Sequence, residues 1–281
     1  MYTTKIKNMN LNQILNSGQI FRMDCVAENS YTIAAYGRLL EITQNGEEFT
    51  FSCDEAEFNE IWYNYFDLNT DYEQLLSKID KEDLFLKNAA EAGKGIRILR
   101  QNLWEMVITF IISQQKRVEE IKRCVNRLCE RYESGFGFPT PEMILADGPE
   151  KLSGLSLGYR ERYIYETARQ VCEGEVVLEG LAECGYDTAF EELKKLCGVG
   201  NKVANCICLF GLGYVDAFPI DTHIKDILYR EYYADKNKEQ KKVTDKEYET
   251  IVNEHFGRYS GYRGIVQQWI FAYELGVRLG K

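Results

Sequence analysis

Polar and apolar positions alternate in short stretches over roughly the first ninety residues, then fall into three- and four-residue spacing for the rest of the chain. The alternating part predicts strands over Tyr31–Tyr36, Arg38–Ile42 and Phe49–Phe51, with turns at Tyr36-Gly37-Arg38 and Gln44–Glu47. Phe58, Ile61, Trp62 and Tyr65 then take up helical spacing from Glu55 onward. After Gly93-Lys94-Gly95 the pattern predicts helices at Leu103–Phe110, Val118–Tyr132, Pro141–Leu145, Glu161–Cys172 and Phe190–Leu196. Further helices are expected at Asn201–Leu212, Thr222–Tyr232, Asp245–Phe256 and Gly264–Leu279, and an exposed charged loop at Asp235–Lys242. The fold expected is α+β: a small antiparallel β-sheet domain over 1–94, then a mostly α-helical domain over 95–281 built as two helical lobes.

Composition narrows the class. With 281 residues, 45% of them hydrophobic, the chain can bury a sizeable core. Its longest apolar run, Trp104–Ile112, contains Glu105 and is too short to span a bilayer. Met1–Ile6 has no apolar leader. An intracellular protein without a membrane partner is expected, monomeric, and cytoplasmic or nucleoid-associated in a prokaryote. Nine scattered cysteines read as reduced thiols, and two histidines, His223 and His255, are too few for a histidine-built metal centre.

A formal charge of −10 argues against nucleic acid as a partner, but the charge is unevenly distributed. From Glu41 to Glu91 there are 14 acidic and 3 basic residues; from Lys94 to Arg131 there are 9 basic and 4 acidic. An acidic first domain joined to a basic helical face can still bind phosphate locally, although a solvated surface explains such runs equally well.

The densest chemistry lies in Leu196-Cys197-Gly198-Val199-Gly200-Asn201-Lys202-Val203-Ala204, followed 19 residues after Lys202 by Asp221 in Pro219-Ile220-Asp221-Thr222-His223. Gly198 and Gly200 between two helices read as a hairpin in which glycine reaches backbone conformations closed to other residues. The amides opening the next helix would then face a phosphate. Lys202 is either an exposed first-turn lysine or an amine nucleophile, a use that requires lowering a pKa of ~10.4. Asp221 suits an N-cap for Thr222 onward, and a fixed carboxylate can also stabilise a developing oxocarbenium ion. Asp216 and Asp226 are expected to be structural. In the last helix Val266, Trp269, Ile270, Tyr273 and Val277 form an apolar stripe, while Gln267 and Phe271 share a neighbouring face suited to a purine.

Gly198–Ile224 resembles the catalytic motif of the helix-hairpin-helix DNA glycosylase superfamily, and the lysine at 202 resembles its bifunctional members. Asn16–Arg22, Tyr65–Leu68, Gly95–Gln101 and Leu157–Tyr163 extend the likeness to the 8-oxoguanine DNA glycosylase family. That resemblance implies an enzyme that flips 8-oxoguanine out of duplex DNA. Lys202 would excise the base through an imine, and the abasic site would be nicked by β-elimination. Phe271 would stack on the base, Gln267 would read its Watson–Crick edge, and Cys206 would lie on its other face, paired electrostatically with Lys202. The Gly18 carbonyl would accept the N7–H that guanine lacks. His223 would meet a phosphate, Tyr159 would wedge into the duplex, and Arg160 and Gln115 would occupy the gap. Glu120 stands where eukaryotic members read the opposite cytosine with arginine, so a relaxed opposite-base preference is expected. With no cysteine after Cys208 there is no four-cysteine iron–sulfur loop. No organic cofactor or catalytic metal is implied, and a monovalent cation at the hairpin carbonyls is the one ion the superfamily suggests. Two rivals remain: a monofunctional glycosylase for alkylated bases, and a non-catalytic helix-hairpin-helix DNA-binding protein.

Overall fold

The computed structural model describes residues 1–233 and 243–278, with side chains described through 276, so the loop expected at 235–242 and Val277 of the apolar stripe lie outside the described residues and side chains. The chain is α+β. Five antiparallel strands stand in the order β1-β5-β4-β3-β2: β1 (Tyr2–Lys5), β2 (Met23–Ala27), β3 (Ser30–Ala35), β4 (Arg38–Asn45) and β5 (Glu48–Phe51). The three central strands are those predicted by alternation. Tyr31, Ile33, Leu40, Ile42, Phe49 and Phe51 point into one apolar layer. The two edge strands were not legible, because β1 reads Tyr-Thr-Thr-Lys and β2 buries only Met23. They are held by ladder hydrogen bonds rather than by burial.

Helix α1 (Leu11–Leu15) precedes β2, capped by Asn10, whose side chain accepts from Gln13 N. After the sheet come α2 (Glu55–Glu57) and α3 (Tyr63–Tyr65), joined through a π-helical turn at Phe58–Trp62. Two further helices, α4 (Tyr72–Ser77) and α5 (Leu84–Ala92), occupy sequence left unassigned by the periodicity. Their caps are Asp71 and Asp83, which accept from Gln74 N and Leu86 N. The sheet and the first helices share a core that includes Phe58, Trp62, Tyr65 and Phe66.

Helix α6 (Leu103–Ser113) is buried at every position from Glu105 to Ser113 and forms the axis of the body. Against it pack α7 (Val118–Arg131), α9 (Arg160–Cys172) and α11 (Asn201–Phe210), with α8 (Pro141–Asp147) packed on α9 and α10 (Tyr186–Leu193) on α11. The chain continues through α12 (Thr222–Ile227), a π-helical turn at Leu228–Tyr232, α13 (Asp245–Phe256) and α14 (Arg263–Arg278). Asp216 is structural as expected, accepting from Gly261 N at 2.7 Å. Among the described residues no helix is long and apolar enough to cross a membrane.

The segment 96–101 carries no regular structure and forms the seam between sheet and helices. Arg97 donates to the carbonyls of Asp67 (2.7 Å) and Lys7 (3.2 Å), and Arg100 pairs with Asp67 at 3.0 Å. Leu99 N donates to Gln19 Oε1 (2.8 Å), while Gln101 N reaches Phe210 O at the end of α11 (3.0 Å). A loop near the N-terminus is thereby fixed against the helix that carries Lys202.

Candidate active site

Helices α10 and α11 are joined by the glycine turn. Gly198 has φ +82°, and a Cβ built there would lie 2.5 Å from Tyr163 Cδ2. Both conformation and space therefore require glycine. Gly200 differs from expectation: its φ is −99° with ψ −177°, it is the N-cap of α11, and a Cβ would meet nothing within 4 Å. Its backbone is extended, so any need for glycine there is not conformational.

Lys202 stands in the first turn of α11, half-buried, its ammonium 5.4 Å from the centre of the Phe110 ring. One turn on, Cys206 is buried. Burial pushes its thiol above the ordinary range, Lys202 opposes that by proximity and by hydrogen-bonding the sulfur, and the Asp221 carboxylate adds to the rise. The net direction keeps the sulfur protonated. Lys202 and Cys206 are thus linked by proximity and by a hydrogen bond, one turn apart on the same helix. Asp221 caps α12, its Oδ1 accepting from Ile224 N at 2.8 Å. Lysine, thiol and carboxylate form one electrostatic cluster.

The opposite ends of the chain meet beside it. A Cβ built on Gly18, whose φ is +77°, would lie 3.0 Å from Phe271 Cε1. The Phe271 ring stands 6.2 Å from that of His223, centre to centre, which places His223 against the aromatic wall as well as at the start of α12. Gln267 is buried; its Nε2 donates to Pro219 O at 3.3 Å, while its Oε1 has no hydrogen-bond partner. A buried acceptor without a partner costs free energy, roughly 1–3 kcal/mol. Of the apolar stripe, Val266, Trp269 and Ile270 are buried core as expected, and Tyr273 is half-buried, packed against it.

Three other expected DNA contacts come together on the rim. Tyr159 is 47% exposed and packs edge-on against Tyr163. Arg160 is buried under it, 4.4 Å from the ring centre, donating to Leu157 O at 2.9 Å and to Gln114 O. Gln115 is exposed with φ +51°, a conformation uncommon outside glycine. Glu120 is exposed on the first turn of α7, where its carboxylate accepts from Arg117 N at 3.0 Å. Its immediate job is to cap that helix.

Sequence reasoning missed Gln114, whose Nε2 donates to Gly198 O at 3.0 Å and so joins the rim to the hairpin. It also missed Gln268, buried beside Gln267; a second glutamine inside an apolar helix was the available signal. Much of the basic run serves internal contacts rather than an open face. Lys116 and Arg127 bind Ser156, Lys122 binds Met23 O and Asp24, and Arg131 binds Lys151 O. Among the described residues no group of His, Cys, Asp and Glu could hold a metal ion. The hairpin's backbone carbonyls are oxygen donors of the kind a monovalent cation takes.

Two family models tile this architecture. Residues 1–107 match the 8-oxoguanine DNA glycosylase N-terminal domain, and residues 108–254 match the HhH-GPD superfamily of base excision DNA repair proteins. The chain belongs to the 8-oxoguanine DNA glycosylase family. It is 30% identical over 248 residues to an N-glycosylase/DNA lyase of Saccharomyces cerevisiae, covering 75% of this chain and 65% of the yeast protein. It is 28% identical over 219 residues to an Arabidopsis thaliana N-glycosylase/DNA lyase, of which it covers 58%. The chain thus spans less than two thirds of either curated relative. Among solved structures the family likeness runs nearly end to end. The Clostridium acetobutylicum 8-oxoguanine glycosylase/lyase, bound to duplex DNA with cytosine opposite 8-oxoG, superposes with TM-score 0.87 at 29% identity, covering 100% of this chain and 99% of that one. MBOgg1 in complex with a low affinity DNA ligand gives TM-score 0.89 at 31% identity over 99% and 96%.

Proposed function

We propose that this family member is a bifunctional 8-oxoguanine DNA glycosylase and abasic-site lyase acting on double-stranded DNA. The observation that carries the reading is the meeting of Gly18 with Phe271 beside the partnerless Oε1 of Gln267. A planar base with donors on its edge would satisfy that oxygen. Phe271 would stack on one face of the base, and the neutral Cys206 sulfur would line the other.

With the base seated, Lys202 gives up a proton and its Nζ bonds to C1′ as the glycosidic bond breaks, while the base leaves with its electron pair and takes up a proton. Asp221 stabilises the positive charge that develops on the sugar. Its cap bond from Ile224 N fixes the carboxylate and needs no reorganisation during the reaction. Opening of the sugar ring leaves an imine between Lys202 and C1′. Loss of a C2′ proton then expels the 3′ oxygen and nicks the strand. A later hydrolysis of the imine frees the lysine. A monovalent cation on the hairpin carbonyls would add positive field at the phosphate-facing turn.

Tyr159, Arg160 and Gln115 are assigned to the gap left in the duplex, with Gly198, Gly200 and His223 near the backbone. Two units, 1–94 and 95–281, a monomeric state and action on genomic DNA in the cytoplasm or nucleoid complete the proposal. Borohydride trapping on an 8-oxoguanine–cytosine duplex tests it. Wild type should form a covalent adduct that Lys202→Gln cannot form. Base release without an adduct would assign a monofunctional enzyme, and neither release nor lesion binding would overturn the reading.

A further inference from the structure

We propose that Gln268 is a positioning residue for lesion recognition: it holds the Gly18 carbonyl in register with the base-binding face of α14 and thereby sets discrimination between 8-oxoguanine and guanine. The inference rests on the proposed role of Gly18.

Gln268 is 2% exposed and follows Gln267 on α14. Its Nε2 donates to the carbonyl of Ser17, a residue with no solvent exposure at the far end of the chain. That carbonyl belongs to the peptide immediately before Gly18. On the other side, the carbonyl of Gln19 accepts from Gln101 Nε2 at 2.8 Å. The Gly18–Gln19 peptide, which carries the Gly18 carbonyl, therefore hangs between two pinned neighbours.

The two pins do different work. Gln19 also donates to Ser17 Oγ and Arg97 O, each at 2.9 Å, and accepts from Leu99 N at 2.8 Å. These bonds fix the shape of the loop and attach it to the seam. Gln268 attaches it to the helix bearing Gln267 and Phe271. Loss of Gln268 should leave the loop folded while loosening its distance from the base site.

That distance matters because the lesion differs from guanine by one N7–H and a C8 carbonyl. A hydrogen bond weakens steeply as it lengthens or bends. The Gly18 acceptor must stand at the right height over a base whose other edge is held by Gln267. Adjacent glutamines on one helix can set both ends of that span.

The test is Gln268→Met, which keeps length and burial but removes the donor. Single-turnover excision would be measured on an 8-oxoguanine–cytosine duplex, and strand nicking on the same duplex with a preformed abasic site. Excision should fall about five- to tenfold, the factor one neutral hydrogen bond commands, and nicking should fall much less, since an abasic site has no base to read. In a Lys202→Gln background, the binding preference for 8-oxoguanine over guanine should narrow by a similar factor. A folded variant that keeps wild-type excision and preference overturns the inference, as does one in which excision and nicking fall together. If Gln268→Met does not fold, Gln268→Asn, which withdraws the amide by one methylene, carries the same test. Failure of wild type itself to prefer 8-oxoguanine would overturn the functional reading, and the inference with it.

Discussion

Gln114 Nε2 donates to the carbonyl of Gly198 at 3.0 Å, while the carbonyl of Gln114 accepts from Arg160. One residue thus ties the loop carrying Gln115, the loop carrying Tyr159 and the glycine hairpin into a single rim. DNA bound there would meet three segments already set relative to one another, so less ordering entropy is lost on binding.

Gln114→Ala should weaken binding to an abasic-site duplex by roughly fivefold, the loss of one neutral hydrogen bond and its positioning. The salt dependence of binding should not change, because no phosphate contact is removed. Fluorescence anisotropy at several salt concentrations reads both quantities; a flattened salt slope would mean that Gln114 touches the backbone itself.

Gly198→Ala and Gly200→Ala should behave differently although both lie in one turn. At Gly198 the φ of +82° and the 2.5 Å approach of Tyr163 oppose any side chain, costing on the order of 1–3 kcal/mol of stability. At Gly200 the extended backbone and open space predict an unchanged melting temperature, with any defect confined to DNA binding. Equal destabilisation in thermal melts would contradict the hairpin geometry described above.

Asp221→Asn separates the observed cap bond from the charge proposed to act on the sugar. Asparagine caps helices about as well as aspartate, so stability should stay within about 0.5 kcal/mol. Removing the charge should lower the excision rate by about 10²–10³-fold. Asp221→Ala should lose the rate and, in addition, ~1 kcal/mol of stability from the cap. Urea unfolding together with single-turnover rates would separate the two; a stable, fully active Asp221→Asn would leave only the capping role.

Glu105 lies buried in α6 against Arg22 at 3.3 Å, and burial raises its carboxyl to about 7 in spite of that partner. Because the folded value lies above the ordinary one, its contribution to stability is fully present below about 4.5 and is lost as pH rises through about 7. Wild type should gain stability relative to Glu105→Gln as pH falls across that window. Urea midpoints at closely spaced pH values would reveal it, and parallel profiles would place the Glu105 carboxyl in the normal range.

Glu120 cannot donate to cytosine's acceptors, and it is already engaged in capping α7. Cleavage with adenine, guanine or thymine opposite the lesion should therefore be penalised less than in members with arginine at that place. Single-turnover rates against all four opposite bases would show this. Equal penalties in both would remove Glu120 from the question.

Local patterns determined much of this protein. Alternation fixed β3, β4 and β5, because half-buried strands must place apolar residues on one face. The spacing of Gly198, Lys202 and Asp221 located the hairpin, the amine and the capping carboxylate, since all three depend on a short stretch of backbone. The resemblance in Asn16–Arg22 supplied Gly18, which no periodicity would have singled out.

The tertiary structure decided what depends on residues far apart in the chain. Edge strands β1 and β2 exist because neighbours offer unpaired backbone groups, which their own side chains do not announce. The need for glycine at 198 comes in part from the Tyr163 ring, and the freedom at 200 from open space. The upward shift of the Cys206 thiol comes from burial against the opposing pull of Lys202, a balance with no signature in sequence. Gln114 and Gln268 found their acceptors only when folding brought Gly198 and Ser17 within hydrogen-bond reach. A polar side chain shows its donor in sequence, but only the packed chain supplies the acceptor.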